Sequence, residues 1–250
     1  MCGRFVLAAS TGDLLGEFEI EHVVHPAPAP SWNVAPTDVV ALVTARHEAA
    51  EESSFAAAVS GVVRQLRTAR WGLVQGWSKD RTSAAGMINA RSETVATKPA
   101  FRAAAARRRC LVPANGYYEW AAAGRTKTPF YLRDAHDAML AMAGVFEVWR
   151  DPALPEDHPD RLLWTVAVIT RAAPDSLGHI HDRSPVVVPR DLRADWLDCS
   201  RPDGPTVTDL LAAIPAPRLV PREVGRAVGN VRNNGPSLIE PVETAPGALF

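Results

Sequence analysis

The 250-residue sequence has few cysteines and no long apolar run. Its three cysteines, Cys2, Cys110 and Cys199, are an odd number without paired spacing, so neither a disulfide framework nor a four-ligand zinc site is expected, and a reducing compartment suits them. No stretch reaches the roughly 18 apolar residues of a membrane span, and the first residues lack the pattern of a signal peptide. We therefore expect a cytoplasmic protein without a membrane partner.

The sequence also lacks an excess of charge and any internal repeat. The 27 Lys and Arg residues against 28 Asp and Glu residues give a formal net charge of -1, which excludes a histone-like or tail-driven polyanion binder. A local basic groove remains compatible with this balance. Hydrophobic residues make up 47% of the chain, enough for a large core in one domain or two small ones.

Short β-type runs alternate with few, scattered helices, which predicts an α+β fold around a strongly curved antiparallel sheet. The runs Val62 to Leu66 and Trp71 to Trp77 are typical strands, and LVPANGYYEW at Leu111 to Trp120 indicates a turn followed by an aromatic strand. Residues 45–60 and 151–161 are expected to be exposed loops or insertions, and residues 243–250 a flexible tail. Helices are predicted at Thr11 to Phe18, Lys98 to Arg109, Arg190 to Leu197 and Pro205 to Ile214.

Cys2 is the first candidate for chemistry. If Met1 is removed, Cys2 carries a free α-amine with a pKa near ~8 and a thiol with a pKa near ~8.5 on one residue. Such a 1,2-aminothiol condenses with an aldehyde as an imine and closes through sulfur to a thiazolidine. Taken alone, Met1-Cys2 is better explained as an incidental cysteine on a frayed terminus.

Four further polar residues stand within or just after apolar strand-like segments. Asn89 and Arg91 lie two apart and share a face if their segment is a strand. Burial of Glu119, after two tyrosines, would raise its pKa and suit it to proton transfer, although a strand glutamate facing water is the ordinary alternative. His181 has a side chain suited to acid–base work near neutral pH, or is a plain loop histidine. His179 and His181 lack a third ligand, so no metal site or cofactor is predicted.

Aromatic and basic residues also interleave along the chain, as at Arg70-Trp71 and Phe101-Arg102. Aromatic side chains beside phosphate-pairing arginines are typical of single-stranded nucleic acid binding. Core tryptophans and surface arginines would produce the same pattern.

Eleven motifs in one order are more specific than any single residue. They are MCGRF, WNVAPT, RWGLVQGW, MINARSET, TKPAFR, RRCLVPANGYYEW, TPFYL, LAMAGVFEVW, VITRAAPDS, HIHDRSPVVV and VRNNGPSLIEP. Along nearly the whole chain this set resembles the SOS-response-associated peptidase (SRAP) family of abasic-site processing proteins. The resemblance implies a single SRAP domain over residues 1–250, with a barrel-like β core, peripheral helices and a positively charged cleft for single-stranded DNA.

The resemblance also implies roles for individual residues. Cys2 takes the nucleophile position, and Asn89, Glu119 and His181 fall on the catalytic Asn, Glu and His of the family's NAR, YEW and HDR motifs. The residues that fall on DNA-binding positions are Arg4, Trp71, Arg91, Thr170 and Arg183. The sequence departs from the family pattern at Gln75, Arg171 and Ser184, which the resemblance places on the walls of the cleft.

The implied activity is covalent capture of an abasic site in single-stranded DNA as a thiazolidine crosslink, by a monomer that associates with the nucleoid when bound to DNA. The resemblance further implies abasic-site lyase activity, crosslink reversal and self-removal of Met1 as accompanying activities. One alternative is an N-terminal-nucleophile amidohydrolase in which Cys2 attacks an amide. Another is a non-catalytic single-strand binder with an incidental Cys2.

Overall fold

The structure is a computed structural model, and it describes residues 2–47, 62–123, 126–200 and 204–242. Thirteen strands and five short α-helices are present in these ranges. The strands are β1 Phe5–Leu7, β2 His22–Val23, β3 Ser31–Val34, β4 Val39–His47, β5 Val62–Trp71, β6 Asn89–Arg91, β7 Arg109–Ala114, β8 Gly116–Ala123, β9 Thr126–Asp134, β10 Leu140–Arg150, β11 Leu162–Ala172, β12 Arg183–Pro185 and β13 Leu219–Glu223. The helices are α1 Thr11–Phe18, α2 Arg102–Arg107, α3 Asp175–Gly178, α4 Arg193–Leu197 and α5 Val207–Ala213.

Five strands close into a barrel in the order β11, β10, β7, β4 and β5. Neighbours in this order pair antiparallel, and the ring closes where β5 pairs parallel with β11 at Thr165↔Arg70 and Val166↔Trp71. The short strands β6 and β12 attach to the carboxyl end of β11, and β2 attaches to β5. The expected α+β fold with a barrel-like core is confirmed.

A second, five-stranded sheet carries the chain terminus. Its order is β13, β9, β8, β1 and β3, so β1 lies between β8 and β3. Phe5 pairs with Tyr117 on β8 and with Val34 on β3. Because β1 is an interior strand, residues 2–4, which directly precede it, are held in place: Cys2 is buried and Arg4 is hydrogen-bonded to Asn33 and Val228.

The expected strand from Trp71 to Trp77 is wrong beyond its first residue. β5 ends at Trp71 because Gly72 has a φ of +123°, and a Cβ at this position would overlap the carbonyl oxygen of Ala84. Only glycine tolerates both conditions easily. The Gly72 N–H then donates to the carbonyl of Val166, which ties the turn to β11.

The helix predicted at Thr11 to Phe18 is confirmed with the same bounds as α1, and Ser10 precedes it as the N-cap, whose hydroxyl forms a capping box with Asp13. The helix predicted from Lys98 to Arg109 is shorter than expected. α2 covers only the middle of the helix expected from Lys98 to Arg109, because the chain makes turns before it and Arg109 already belongs to β7. None of the described helices is both long and apolar enough to cross a membrane.

The predicted loop at residues 45–60 is wrong at its start, whereas the one at residues 151–161 agrees with the structure. Ala45 to His47 extend β4 and pair with β5, while residues 48–61 lie outside the described part of the chain. Residues 151–161 form turns and a short 3-10 helix, as expected for a loop. The expected tail, residues 243–250, also lies outside the described residues.

Arg109 is a buried cation that joins the barrel to α4. Its side chain is 6% exposed and donates to the carbonyls of Trp196 at 2.7 Å and Asp198 at 2.6 Å, and its Nη1 lies 3.3 Å from the carbonyl of Ala105. Truncation would leave buried carbonyl oxygens without donors. We expect Arg109→Ala to lower the free energy of unfolding by about 2–4 kcal/mol.

Equilibrium unfolding in urea measures this loss. Arg190→Ala is the matched control, because the Arg190 side chain is 63% exposed and makes only a surface ion pair with Glu19. An Arg109→Ala midpoint as close to wild type as that of the control would contradict the role of Arg109 in docking α4.

Candidate active site at the N-terminal cysteine

Cys2 is fully buried beside the barrel. It is 0% exposed and belongs to the main hydrophobic core, at the point where the chain enters β1. Burial, together with the negative charge of the neighbouring Glu119, raises the pKa of the Cys2 thiol well above its usual range. The thiol is therefore protonated at neutral pH in this state and needs a base before it can act as a nucleophile.

Glu119 stands on β8 next to Cys2. It is 3% exposed, so the ordinary alternative of a glutamate facing water does not apply. Burial raises the pKa of Glu119 to about 7, against an ordinary value near 4.5. A carboxyl group that titrates near neutral pH both accepts and returns protons, which is the property a general acid–base needs.

Asn89 fixes the backbone of Cys2. β6 runs parallel to β11, with Asn89 opposite Val168, and this places the side chain under the terminus. Its Nδ2 donates to the carbonyl oxygen of Cys2 at 2.7 Å. Its Oδ1 is buried and accepts no hydrogen bond from the described residues. The structure thus brings Asn89 and Cys2 into direct contact across 87 positions of sequence.

His181 follows α3 and is half-buried. Its Nδ1 accepts the backbone N–H of Arg183 at 3.0 Å and lies 2.8 Å from Oδ1 of Asp182. Burial lowers the pKa of His181 below its usual value, so the imidazole is mainly neutral at pH 7. A neutral imidazole whose Nδ1 accepts an N–H carries its proton on Nε2.

Trp71 is buried in the core and does not line an open cleft. The side chain is 0% exposed, packs edge-on against Phe5 at 5.0 Å, and donates its indole N–H to the carbonyl of Ile88 at 2.9 Å. A base cannot stack on a side chain that the core covers on every side. The expectation that Trp71 contacts DNA is therefore wrong for this structure, and Trp71 instead supports β1 next to Cys2.

The three arginines expected to contact phosphate have different surroundings. Arg4 donates to Oδ1 of Asn33 at 2.6 Å and to the carbonyl of Val228 at 2.9 Å. Arg183 forms a two-pronged ion pair with Glu93 and also donates to Thr170. Arg91 is exposed at the end of β6. Among these three cations, Arg91 presents the most accessible guanidinium.

Thr170 is buried and lines the site through its backbone. Its side chain is 0% exposed, and its carbonyl oxygen accepts from the N–H of Ser92 at 2.8 Å and from Arg183 at 2.6 Å. It therefore links β11 to the segments that carry Asn89 and His181. The described hydroxyl contact to Arg183, at 3.4 Å, is long.

The three residues that depart from the family pattern, Gln75, Arg171 and Ser184, are buried or bonded to the backbone of neighbouring segments. Gln75 and Ser184 are 4% and 1% exposed, so neither side chain forms an open cleft wall. Arg171 donates to the carbonyls of Ile214 at 2.8 Å and Pro215 at 3.0 Å, and so fastens the end of α5 to β11.

Sequence reasoning missed Tyr117, Asn33 and Glu93. Tyr117 is 1% exposed and shares a face of β8 with Glu119, and the i, i+2 spacing of a strand contained that signal. Asn33 is 3% exposed and donates to the carbonyls of Asn230 and Asn233, so it anchors the VRNNGP segment beside β3. Nothing in the sequence alone distinguished Glu93 from other surface glutamates.

No group of three or more metal-ligating side chains occurs within the described ranges. The site consists of a thiol, a carboxyl group that titrates near neutrality, an amide and an imidazole. Asn89 and Glu119 lie beside Cys2, and His181 lies on the segment between α3 and β12. This arrangement defines a class of proteins in which the second residue is the candidate nucleophile.

Comparison with known proteins identifies the family. The family model "SOS response associated peptidase (SRAP)" matches residues 1–231, and the chain belongs to this family. Abasic site processing protein YoqW of Bacillus subtilis (strain 168) is 32% identical over 242 residues, which cover 96% of this chain and 99% of the relative. YedK of Escherichia coli (strain K12), also named an abasic site processing protein, is 31% identical over 248 residues, which cover 97% of this chain and 100% of the relative. HMCES of Gallus gallus, with the same description, is 27% identical over 237 residues, covering 86% of this chain and 67% of the relative.

Solved structures agree with the fold. A protein from Bacteroides thetaiotaomicron superposes with a TM-score of 0.74 at 17% identity, over 96% of this chain and all of that one. A protein from Bordetella bronchiseptica has a TM-score of 0.67 at 21% identity, over 90% of this chain and 100% of its own.

Proposed function

We propose that this protein processes abasic sites in single-stranded DNA by capturing them covalently through Cys2. The observation that carries the proposal is the buried cysteine at the terminus, next to a carboxyl group with a pKa of about 7 and held by Asn89. The names of the relatives, as abasic site processing proteins, support the same substrate.

Removal of Met1 comes first, by hydrolysis of the Met1–Cys2 peptide bond. It exposes the α-amine of Cys2 next to its own thiol. Asn89 keeps the carbonyl of Cys2 in place, so the amine and thiol stay oriented toward one side of the residue. Self-removal of Met1 by this site would give the peptidase activity of the family's name.

Capture then proceeds in two steps. The amine adds to the aldehyde carbon of the ring-opened sugar, and loss of water leaves an imine. The Cys2 thiolate adds to the imine carbon, the nitrogen takes up a proton, and the thiazolidine ring closes. Because both nucleophiles belong to one residue, the second step has a high effective concentration.

Glu119 and His181 move the protons in this scheme. The ionised form of Glu119 takes the proton of the Cys2 thiol, whose pKa burial has raised, and its neutral form protonates the departing hydroxyl of the carbinolamine. The Nε2 proton of His181 assists opening of the sugar ring. β-Elimination from the imine would give a lyase side reaction, and proton return from Glu119 would allow reversal.

In this proposal the exposed Arg91 and the half-buried Arg4 and Arg183 supply the positive charge for phosphate contacts. Phosphate recognition by a few arginines requires no net positive charge on the whole chain. This agrees with the formal net charge of -1.

A denaturing gel tests the proposal. Protein with a carboxyl-terminal tag is mixed with a single-stranded oligonucleotide that carries one abasic site, without borohydride, and a shifted band that survives denaturation is expected. The matched control carries the same tag uncleaved before Met1, which blocks the amine and should abolish the band. Capture through the Cys2 amine would be contradicted if both forms crosslinked equally. It would also be contradicted if the protein with the carboxyl-terminal tag gave no shifted band.

A further inference from the structure

Glu93 forms a two-pronged ion pair with Arg183 next to the proposed active site. The Arg183 Nη1 lies 2.6 Å from Oε1 of Glu93, and Nη2 lies 2.9 Å from Oε2. The Arg183 side chain is 12% exposed, and these bonds lower the pKa of Glu93 to about 2. Planar, two-bond pairs of this kind fix orientation more strongly than an ordinary surface ion pair.

The same guanidinium also holds β11. Its Nη2 donates to the carbonyl of Thr170 at 2.6 Å, and that carbonyl also accepts the Ser92 N–H. Glu93, one residue after Ser92, therefore closes a loop of contacts that runs from the end of β6 through Arg183 to β11. The β11–β12 ladder, in which Ala172 pairs with Arg183, already places the Arg183 backbone, and this loop of side-chain contacts adds a second restraint on it.

The Arg183 backbone in turn contacts His181. Its N–H donates to Nδ1 of His181 at 3.0 Å, while Oδ1 of Asp182 lies 2.8 Å from the same nitrogen. The two contacts require opposite protonation of Nδ1, because the N–H needs a lone pair and the carboxylate needs a proton. The position of the Arg183 N–H therefore determines which tautomer of the neutral ring is favoured.

We propose that Glu93 is a positioning residue that fixes the Nε2-protonated tautomer of His181 by holding Arg183 in place. Its consequence for catalysis rests on the proposed function, in which the Nε2 proton assists ring opening. The tautomer itself is a property of the protein without DNA.

A simpler role for Glu93 makes a different prediction. If its carboxylate only occupied the place of a DNA phosphate on Arg183, removing its charge would tighten binding of single-stranded DNA. The imidazole of His181 would be unaffected.

Glu93→Gln separates the two roles. A glutamine offers one acceptor oxygen and turns its NH2 toward a donor guanidinium, so the two-pronged pair is lost while the side-chain size is kept. Glu93 is half exposed, so the variant should fold. Glu19→Gln is the matched control, because Glu19 also pairs with two arginines, Arg64 and Arg190, but at the end of α1.

Nitrogen-15 NMR of the histidine side chains at neutral pH reads the tautomer directly. The His181 signals are assigned as those missing from His181→Asn. We expect the Nδ1-protonated fraction of His181 to rise about threefold or more in Glu93→Gln, the equivalent of one modest hydrogen bond, and to stay unchanged in Glu19→Gln. An unchanged His181 spectrum in Glu93→Gln overturns the proposal, as does an equal change in both variants.

Crosslinking of an abasic oligonucleotide distinguishes this inference from the proposed function. A shifted tautomer with crosslinking slowed about threefold in Glu93→Gln supports both. A shifted tautomer with an unchanged rate supports the role of Glu93 and contradicts the role of His181 in capture.

Discussion

Replacement of Cys2 by alanine is expected to lower the amount of borohydride-independent crosslink to an abasic oligonucleotide by about two orders of magnitude or more. The imine formed by an amine alone hydrolyses readily, whereas ring closure by the thiol removes it from that equilibrium. Alanine at position 2 is small enough for a housekeeping aminopeptidase to remove Met1, so the amine is exposed even where self-removal is lost. The variant therefore loses ring closure and keeps the first step.

Reduction with borohydride tests this division of the two steps. Cys2→Ala should regain a gel-stable band when borohydride traps the imine, and intact mass must show that Met1 is absent. Cys199→Ala is the matched control, since Cys199 is a free cysteine assigned no role and should crosslink like wild type. A Cys2→Ala protein that forms the stable band without reductant would remove the thiol from the mechanism.

A single-strand binder with an incidental cysteine predicts no stable band from any variant. An N-terminal-nucleophile amidohydrolase predicts that Cys2→Ala loses hydrolysis of small amides and that DNA is irrelevant to the wild-type protein. The same set of variants therefore discriminates among the three functions that the sequence left open.

The sequence predicted most of the architecture because its signals were local. Apolar runs of β type indicated the strands of the barrel, and the polar, capped segment at Thr11 to Phe18 indicated α1. The parallel closure between β5 and β11 had no such signal, since it joins residues nearly a hundred positions apart. The end of β5 at Trp71 depends on a contact between Gly72 and Ala84 that only the folded chain creates.

The candidate site was predicted as a set of residues, and its geometry was not. From the sequence alone Glu119 could be a surface glutamate, and only the structure shows that it is buried. Likewise Trp71 could be a DNA contact from the sequence, and only the structure shows that the core covers it. Tryptophan and arginine patterns do not reveal which side chains the core covers. Charged partners such as Glu93 are equally hidden, because an ion pair across 90 positions leaves no periodic trace.

Glu119→Gln should slow crosslink formation by about 100-fold or more, while binding of single-stranded DNA remains intact. Glutamine is isosteric and neutral, so it fills the buried position on β8 and cannot exchange a proton with the Cys2 thiol or the carbinolamine. Single-turnover crosslinking and a separate measurement of affinity on an oligonucleotide without an abasic site distinguish these effects. Wild-type rates of both formation and reversal in Glu119→Gln would remove Glu119 from the mechanism.

The same substitution has a second consequence, for stability, that does not depend on DNA. The pKa of Glu119 is about 7 in the folded protein and near 4.3 in an unfolded chain, so the folded state binds more protons between these values. The contribution of Glu119 to stability is therefore fully present below about pH 4.3 and is lost as the pH rises through 7.

Unfolding in urea at a series of pH values measures this contribution as a difference between two proteins. Relative to Glu119→Gln, wild type should lose about 1–3 kcal/mol of unfolding free energy between pH 5 and pH 8.5. Groups that titrate alike in both proteins cancel in this comparison. A difference that stays constant over the whole range would mean that Glu119 titrates at an ordinary value. It would then be ionised throughout neutral pH and unable to donate the proton that carbinolamine dehydration requires.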